Sequence, residues 1–517
     1  MNEEVTPPDR PASVADDGAR RRTLEELLGV DREHLSVSES LQLIGELIDL
    51  AGDLRRPDAI EQGIAWLDSL ETLALSPIDE MTVSLFRGNA WLELYAQARH
   101  RGDRDDFDWV QPELERALLA FRRVLANDAL STWPPVRRAQ LFTNIGNIAS
   151  TLGRVTEAIY YRDEAIRTVP QFGMALGTRA ESLDAYRGIL YRSKDRRSLI
   201  AGAAAGFEAA TAPDAIFENP GYGSVKARWA ARRDELQAWL CENRVDPLSE
   251  YAIDPQTEER TYRRWCLNER LMLNPLNELG PIEAAASDSL HLPPIAPHDA
   301  RTALLFGFLD ALSQEFSSAR WSYFEAQNSS ASHFSDAGLA PHDTGDEPLY
   351  GLSVERMKSA YRTVYSIFDK IALFVNIYFG VGLDAAGVTF SKIWRENKAL
   401  RPIFASSRNW PLRGLYWVAR DLSEPGFQDV TEPDARAMAL MRQYLEHRCL
   451  RVVSTGRPPV EVVSPELFVV DHADFGRRTL KLLRLGRAAL IMLVSAVYVE
   501  ERQRGPNRGA WTKLPRL

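Results

Sequence analysis

The 517-residue sequence contains only three cysteines, Cys241, Cys266 and Cys449, and their spacing fits neither a disulfide framework nor a zinc site. Such sparse cysteines are typical of a reducing compartment, and we predict a cytoplasmic protein. The longest apolar run, residues 488–499, is shorter than the ~20 residues that span a bilayer. We predict that this run is a helix buried in a bundle and that the chain has no membrane span.

Several sequence motifs of enzymes are also missing. The chain has no GxxxxGK[ST] or GxGxxG phosphate loop and no HExxH, CxxC or GxSxG motif. The eight histidines are dispersed, and none forms a helical i, i+4 pair. These absences argue against a nucleotide-driven motor, a dinucleotide-binding oxidoreductase and a zinc hydrolase. We predict no metal ion and no cofactor.

Composition and charge indicate a globular chain of two or three domains, with 45% apolar and 26% charged residues. Residues 1–22, which carry acidic residues and prolines, are predicted to be a disordered leader. The net charge is −10, but residues 434–517 contain 15 Lys and Arg against 8 Asp and Glu. That segment therefore carries +7 and the rest of the chain −17, which is an acidic body with a basic C-terminal end.

Residues 23–240 show the i, i+3, i+4, i+7 apolar spacing of successive amphipathic helices. Residues 142–170 have the spacing of a tetratricopeptide repeat. Its small residues let two helices pack closely, Gly153 forms the turn, and Pro170 ends the second helix. Arg162 departs from the pattern, which prefers an apolar ring there. We predict a tetratricopeptide-like helical repeat region, with the other repeats inferred because one unit cannot bury its own apolar face.

The remainder is predicted to be a proline-rich connector followed by a second helical domain. Residues 241–300 are rich in prolines, but residues 262–277 are too apolar for a free linker and should dock on a neighbouring domain. A helical bundle is expected at 301–505 and a basic tail at 506–517. The helices of the bundle are predicted at 301–327, 352–380, 389–396, 411–421, 433–453 and 476–503.

One pair of residues in the predicted bundle could form a catalytic site. Arg442 and His447 lie five positions apart on a predicted helix, about 140° apart around its axis, and can flank a shared groove. A near-neutral imidazole can take the proton of a 2′-hydroxyl, and a guanidinium can hold the scissile phosphate. By spacing alone, an exposed Arg442–Glu446 ion pair on a solvated face explains the same residues.

Several segments together resemble the HEPN superfamily (higher eukaryote and prokaryote nucleotide-binding), in particular a bacterial subfamily in which the domain follows tetratricopeptide-like helices. The resemblance covers about residues 260–503. The segments that carry it lie at 262–277, 317–325, 365–379, 415–422 and 441–448. It implies an all-α protein, a tetratricopeptide-like helical solenoid followed by a HEPN-type bundle that dimerises. It also implies endoribonuclease activity in active members, with Arg442 on the phosphate and His447 as acid and base.

Further residues are candidates for supporting roles in that site. Gln443 departs from the family pattern, in which Asn, Asp or His often follows the arginine, so it bears on activity. Asp369 and Asn376 interrupt an apolar helix seven positions apart, and Asp369 is expected to orient His447 or to pair with Arg442. A buried structural pair explains them as well. Arg320 and Glu325 are candidates of the same kind.

The basic residues of the C-terminal region are candidates for non-specific phosphate contacts. A solvated helix face explains them nearly as well. The predicted RNA-binding residues are Arg448, Arg451, Arg477, Arg478 and Lys481.

These observations predict a homodimeric, metal-independent endoribonuclease that is regulated by its repeat region. The resemblance suggests a stress-response or phage-defence setting. The alternative is a non-catalytic interaction or RNA-binding scaffold, in which the repeat groove takes a protein or peptide ligand. A nucleotide-binding accessory to another enzyme is a third reading, without a phosphate loop to support it.

Overall fold

The structure is a computed structural model that describes residues 14–105, 107–217, 222–243, 257–295, 300–329, 333–337, 349–424, 434–454 and 460–504. It divides into two compact units. The first comprises residues 1–184, 200–244 and 430–432, and the second comprises 185–199, 245–429 and 433–517. Residues 1–13 of the predicted leader and the whole predicted tail at 506–517 lie outside the described residues.

The first unit is built from helices. They are α1 (Val14–Leu28), α2 (Val37–Asp53), α3 (Pro57–Leu70), α4 (Pro77–His100), α5 (Pro112–Leu125), α6 (Pro135–Thr151), α7 (Val155–Thr168), α8 (Gly173–Gly188), α9 (Ser193–Thr211) and α10 (Gly223–Glu242). The division between the units falls within α8 and α9. Helix α1 begins inside the segment that we predicted as a disordered leader, and Leu24 explains why, since it is buried in the core of α2, α3 and α4.

Neighbouring helices of the first unit approach each other at small residues. Gly153 adopts a left-handed φ of 86° between α6 and α7, a conformation that favours glycine. A Cβ at Gly146 would lie 3.1 Å from the Ala158 carbonyl oxygen, so these two helices touch at their backbones. Arg162 is fully buried and donates hydrogen bonds to Asn147 (2.8 Å) and to Ser182. Helix pairing of this kind occurs in several repeat families, so the tetratricopeptide assignment stays a prediction.

Long helices form the core of the second unit. Its helices are α11 (Glu258–Asn268), α12 (Ala300–Asn328), α13 (Leu352–Phe379), α14 (Pro402–Ala405), α15 (Trp410–Ser423), α16 (Asp434–His447) and α17 (His472–Arg504). Helix α17 packs against α12, α13 and α15. By length and composition it is the one helix among the described residues that could cross a membrane, but 72% of its most apolar window is buried within the protein. The apolar run that we noted at 488–499 is thus part of the bundle core.

Short strands interrupt the helices of the second unit. They are β1 (Arg395–Glu396), β2 (Ala399–Leu400), β3 (Cys449–Val453), β4 (Val460–Ser464) and β5 (Leu467–Asp471). Strand β5 lies between its partners, parallel to β3 and antiparallel to β4. The fold is all-α, as predicted, with this small sheet as an addition.

One predicted helix of the bundle, at 389–396, is absent, and another is shorter than predicted. Residues 389–394 form turns that lead into strand β1, and Asn397 and Lys398 adopt left-handed φ angles of 49° and 68° in a tight β1–β2 connection. The helix predicted at 433–453 ends at His447, because the chain then enters β3 and pairs with β5.

Residues 258–288 pack on the bundle through buried charged groups. Arg320 of α12 donates to Asp288 (2.7 and 3.0 Å), to the Leu271 carbonyl (2.7 Å) and to the Tyr262 hydroxyl (2.7 Å). Arg487 of α17 donates to Glu278 (2.5 Å), and both side chains are buried. Burial would raise the pKa of Asp288, but the bonds from Arg320 outweigh it and lower that pKa. These contacts fasten the segment to α12 and α17.

Candidate active site

The candidate site lies on α16. Residues Ala437, Met438, Met441, Tyr444 and Leu445 are buried and form one apolar face of the helix. Alanine, methionine, leucine, arginine and glutamate, which favour helices, make up most of its sequence. The opposite face carries Arg442, Gln443, Glu446 and His447, all of which reach solvent.

Helix α16 is held between α13 and the hairpin formed by β4 and β5. The Tyr361 hydroxyl of α13 donates to the Met438 carbonyl (2.7 Å). At the other end, the Tyr444 ring lies 5.4 Å from the Phe468 ring, and its hydroxyl donates to the Ser464 carbonyl (3.1 Å). Arg448 donates to the Pro465 carbonyl (2.7 Å). The hairpin therefore fixes the end of the helix that carries His447.

Three contacts orient the Arg442 guanidinium. It donates to Asp369 of α13 (2.9 Å), lies 4.6 Å from the centroid of the Tyr365 ring, and donates weakly to Glu446 (3.4 Å). Asp369 is held in turn, because its other oxygen accepts the Phe390 backbone N–H (2.9 Å). The Arg442 side chain is 33% exposed, so a second molecule can still reach it.

The charges around Arg442 favour its protonated form. Partial burial opposes the charge, but the carboxylates of Asp369 and Glu446 outweigh burial and raise the pKa of Arg442. Burial also raises the pKa of Tyr365, whose ring lies beside the guanidinium. The guanidinium is thus a permanent cation beside two carboxylates.

His447 is much more open than Arg442. Its side chain is 72% exposed, and its Nε2 atom lies 3.7 Å from a Glu446 oxygen. It is the last residue of α16. An exposed imidazole near a fixed guanidinium can exchange protons with a bound ligand, which is what general acid–base chemistry on RNA needs.

Comparison with family models places this part of the chain. Residues 298–500 match the model described as LA2681-like HEPN. These residues form an LA2681-like HEPN domain. HEPN domains are often ribonucleases, which favours RNA cleavage as the activity of this domain. Searches of curated proteins and of solved structures found no match to the chain.

Of the predicted supporting residues in the HEPN domain, Asp369 and Glu446 contact Arg442. Gln443 is exposed on the same helix. Asn376 is engaged elsewhere, since its side chain exchanges two hydrogen bonds with the backbone of Leu383 (2.8 and 3.0 Å) and closes the turn after α13.

Arg320 and Glu325 have structural partners. Arg320 is buried in the network that holds residues 258–288, and Glu325 forms an ion pair with Arg356 of α13 (3.5 Å). Tyr365 and the Phe390 backbone also contribute to the site, and neither was predicted from the sequence. The spacing of Tyr365 and Asp369, four apart on one helix face, was an available signal.

The predicted RNA-binding residues are in different environments. Arg448 is exposed beside His447, Arg477 is 70% exposed and paired with Asp474, and Arg451 and Lys481 are half-buried. Arg478 was wrongly predicted as an RNA contact. Its side chain is buried and paired with Asp474 (2.9 Å), so it does not reach the surface of the HEPN domain.

Proposed function

We propose that this protein is a metal-independent endoribonuclease whose HEPN domain uses Arg442 and His447. The observation that carries the proposal is that α16 exposes both a fixed guanidinium and an open imidazole to solvent. Arg442 holds the scissile phosphate, and His447 takes the 2′-hydroxyl proton and later protonates the 5′ leaving oxygen. Attack by the 2′-oxygen on phosphorus expels the 5′-oxygen and leaves a 2′,3′-cyclic phosphate.

The products of RNA cleavage test this proposal. We expect the wild-type protein to cut single-stranded RNA in EDTA and to leave a 2′,3′-cyclic phosphate and a 5′-hydroxyl, as read by mass spectrometry. An otherwise identical RNA with 2′-O-methyl groups is the matched control and should stay intact, because it lacks the nucleophile. Cleavage of the methylated RNA, or products with a 5′-phosphate, would contradict the proposed chemistry.

We further propose that the protein acts as a homodimer, in which Arg442 of one subunit works with His447 of the other. Within one chain, Arg442 and His447 lie about 140° apart around the α16 axis, so a single chain does not turn both towards the same side. A two-fold interface would bring a second copy of each exposed residue to the same cleft.

Mixing two inactive variants tests the shared site. Arg442→Ala and His447→Ala subunits, once exchanged, should form heterodimers with one intact site and one empty site. We expect roughly a quarter of wild-type cleavage from a random mixture. Each variant mixed with itself is the control and should stay inactive. A mixture as inactive as its components would overturn the sharing of the site between subunits.

A scaffold without catalytic activity is the second candidate function. It is favoured by the two carboxylates that already occupy Arg442, and by exposed Gln443 in place of the residues that often follow this arginine. In that case the domain would bind RNA or a protein without cleaving it. An absence of cleavage by the wild type, with RNA binding retained, is the result that would select this candidate.

For the first unit we propose a regulatory role in the cytoplasm, through a protein or peptide ligand bound by its helices. The acidic charge outside residues 434–517 suits a basic ligand. A stress response or phage defence is the setting that the family resemblance suggests. RNA cleavage by residues 185–517, which contain the whole second unit, compared with the full chain tests the regulation, and equal rates would argue against it.

A further inference from the structure

Glu446 has a position that the proposed reaction does not use. One of its oxygens lies 3.4 Å from Arg442 Nε, and the other lies 3.7 Å from His447 Nε2. A single carboxylate therefore bridges the two groups that the proposed reaction assigns to the substrate. A phosphodiester held by Arg442 would present a non-bridging oxygen to the same guanidinium.

The carboxylate and a phosphate exclude each other for two reasons. They need the same donors, and both are anions, so they repel at close range. Asp369 does not compete in this way, because it is tied to both Arg442 and the Phe390 backbone N–H on the α13 side. Glu446 is tied less tightly. Its side chain is 31% exposed, and its contact with Arg442 is long for a hydrogen bond.

We infer that Glu446 is an internal competitor for the substrate phosphate, holding Arg442 and His447 until RNA displaces it. This inference rests on the proposed function, because it assigns the phosphate to Arg442. Glu446 thus positions Arg442 and His447 in the free protein, and its carboxylate moves away from them when RNA binds. An i, i+4 pair of this kind is weak in water, so a phosphate can replace it at small cost.

The inference predicts a gain on removing the carboxylate charge. Glu446→Gln should bind an uncleavable 2′-O-methyl RNA about fivefold more tightly than the wild type at low salt. Fluorescence anisotropy measures this affinity without any cleavage. The gain should need the guanidinium, so Arg442→Ala and the Arg442→Ala, Glu446→Gln double variant should differ by less than about twofold.

Glu500→Gln is a matched control for the general effect of one lost negative charge. Glu500 also pairs with an arginine four residues on, Arg504, at 3.3 Å on α17. We expect its RNA affinity to equal that of the wild type. Unchanged or weaker binding by Glu446→Gln would overturn the inference, as would an equal gain in Glu500→Gln or a gain that persists without Arg442.

The cleavage assay separates this inference from the proposed function. If the wild type cuts RNA and Glu446→Gln binds no more tightly and cuts more slowly, the nuclease stands and Glu446 takes part in the reaction instead. If no variant cuts RNA but Glu446→Gln still gains affinity through Arg442, the nuclease fails while the competing carboxylate stands.

Discussion

Replacement of His447 by alanine is expected to lower the rate of RNA cleavage by about 10²–10⁴-fold, the usual contribution of a general acid–base. The loss should be chemical and not structural, because the imidazole is 72% exposed and packs in no core. The melting temperature and the affinity for 2′-O-methyl RNA should therefore stay close to wild type. Imidazole added to the solution should restore part of the cleavage rate, because it can diffuse into the space that the removed side chain occupied.

The control for this substitution is His34→Ala. His34 is also exposed and lies in the connection between α1 and α2 of the first unit. We expect it to cleave RNA at the wild-type rate. A His447→Ala protein that retains cleavage within about twofold of wild type would remove the imidazole from the reaction.

Arg320→Ala is expected to destabilise the HEPN domain by about 2–4 kcal/mol, because it removes the buried cation that holds the Asp288 carboxylate and satisfies the buried Leu271 carbonyl. Arg320 is 2% exposed and holds Asp288, the Leu271 carbonyl and the Tyr262 hydroxyl. Calorimetry should show the transition of this domain lowered by roughly 10 °C. Hydrogen exchange should become faster at residues 258–288, the segment that Arg320 fastens.

The loss of stability in Arg320→Ala should depend on pH. Because Arg320 lowers the pKa of Asp288 despite burial, their pairing stabilises the fold above the unfolded pKa of an aspartate, about 3.9, and is lost as pH falls further. The gap in stability between Arg320→Ala and wild type should therefore narrow in acid.

Arg356→Ala is the matched comparison for Arg320→Ala. Arg356 of α13 also forms an ion pair with another element, through Glu325 of α12 at 3.5 Å, but its side chain is 33% exposed. A pair in solvent contributes less than about 1 kcal/mol. Equal destabilisation by the two substitutions would contradict the assigned role of Arg320.

The helical architecture was predictable because its signals are local. The spacing of apolar residues marks the long helices, and the uniformly apolar run at 488–499 predicts a helix covered on all sides, as α17 is. The β4–β5 hairpin was not predicted, although residues 460–470 contain two valine-rich runs separated by a Ser-Pro-Glu turn. Short apolar runs do not distinguish a strand from a buried helix, and β5 is specified by partners elsewhere in the chain.

The candidate site was only partly predictable, because some of its contacts join residues that are far apart in the sequence. Arg442 and His447 are only five positions apart, so the sequence alone suggests that they act together. Asp369 was predicted to orient His447 or to pair with Arg442. The contact of Arg442 with Tyr365, and the Phe390 N–H that fixes Asp369, depend on how α13, α16 and a loop meet. Arg320 and Arg478 have the residue type of a phosphate ligand, and only their burial shows that they are structural.

Cleavage of one RNA in EDTA by wild type, Arg442→Ala, His447→Ala and the double variant tests the central claim most directly. If both residues act in one step, each single variant should lose nearly all activity and the double variant should be no slower than the singles. Wild-type protein that cuts no RNA, or single variants that both cut at the wild-type rate, would contradict a nuclease built on Arg442 and His447.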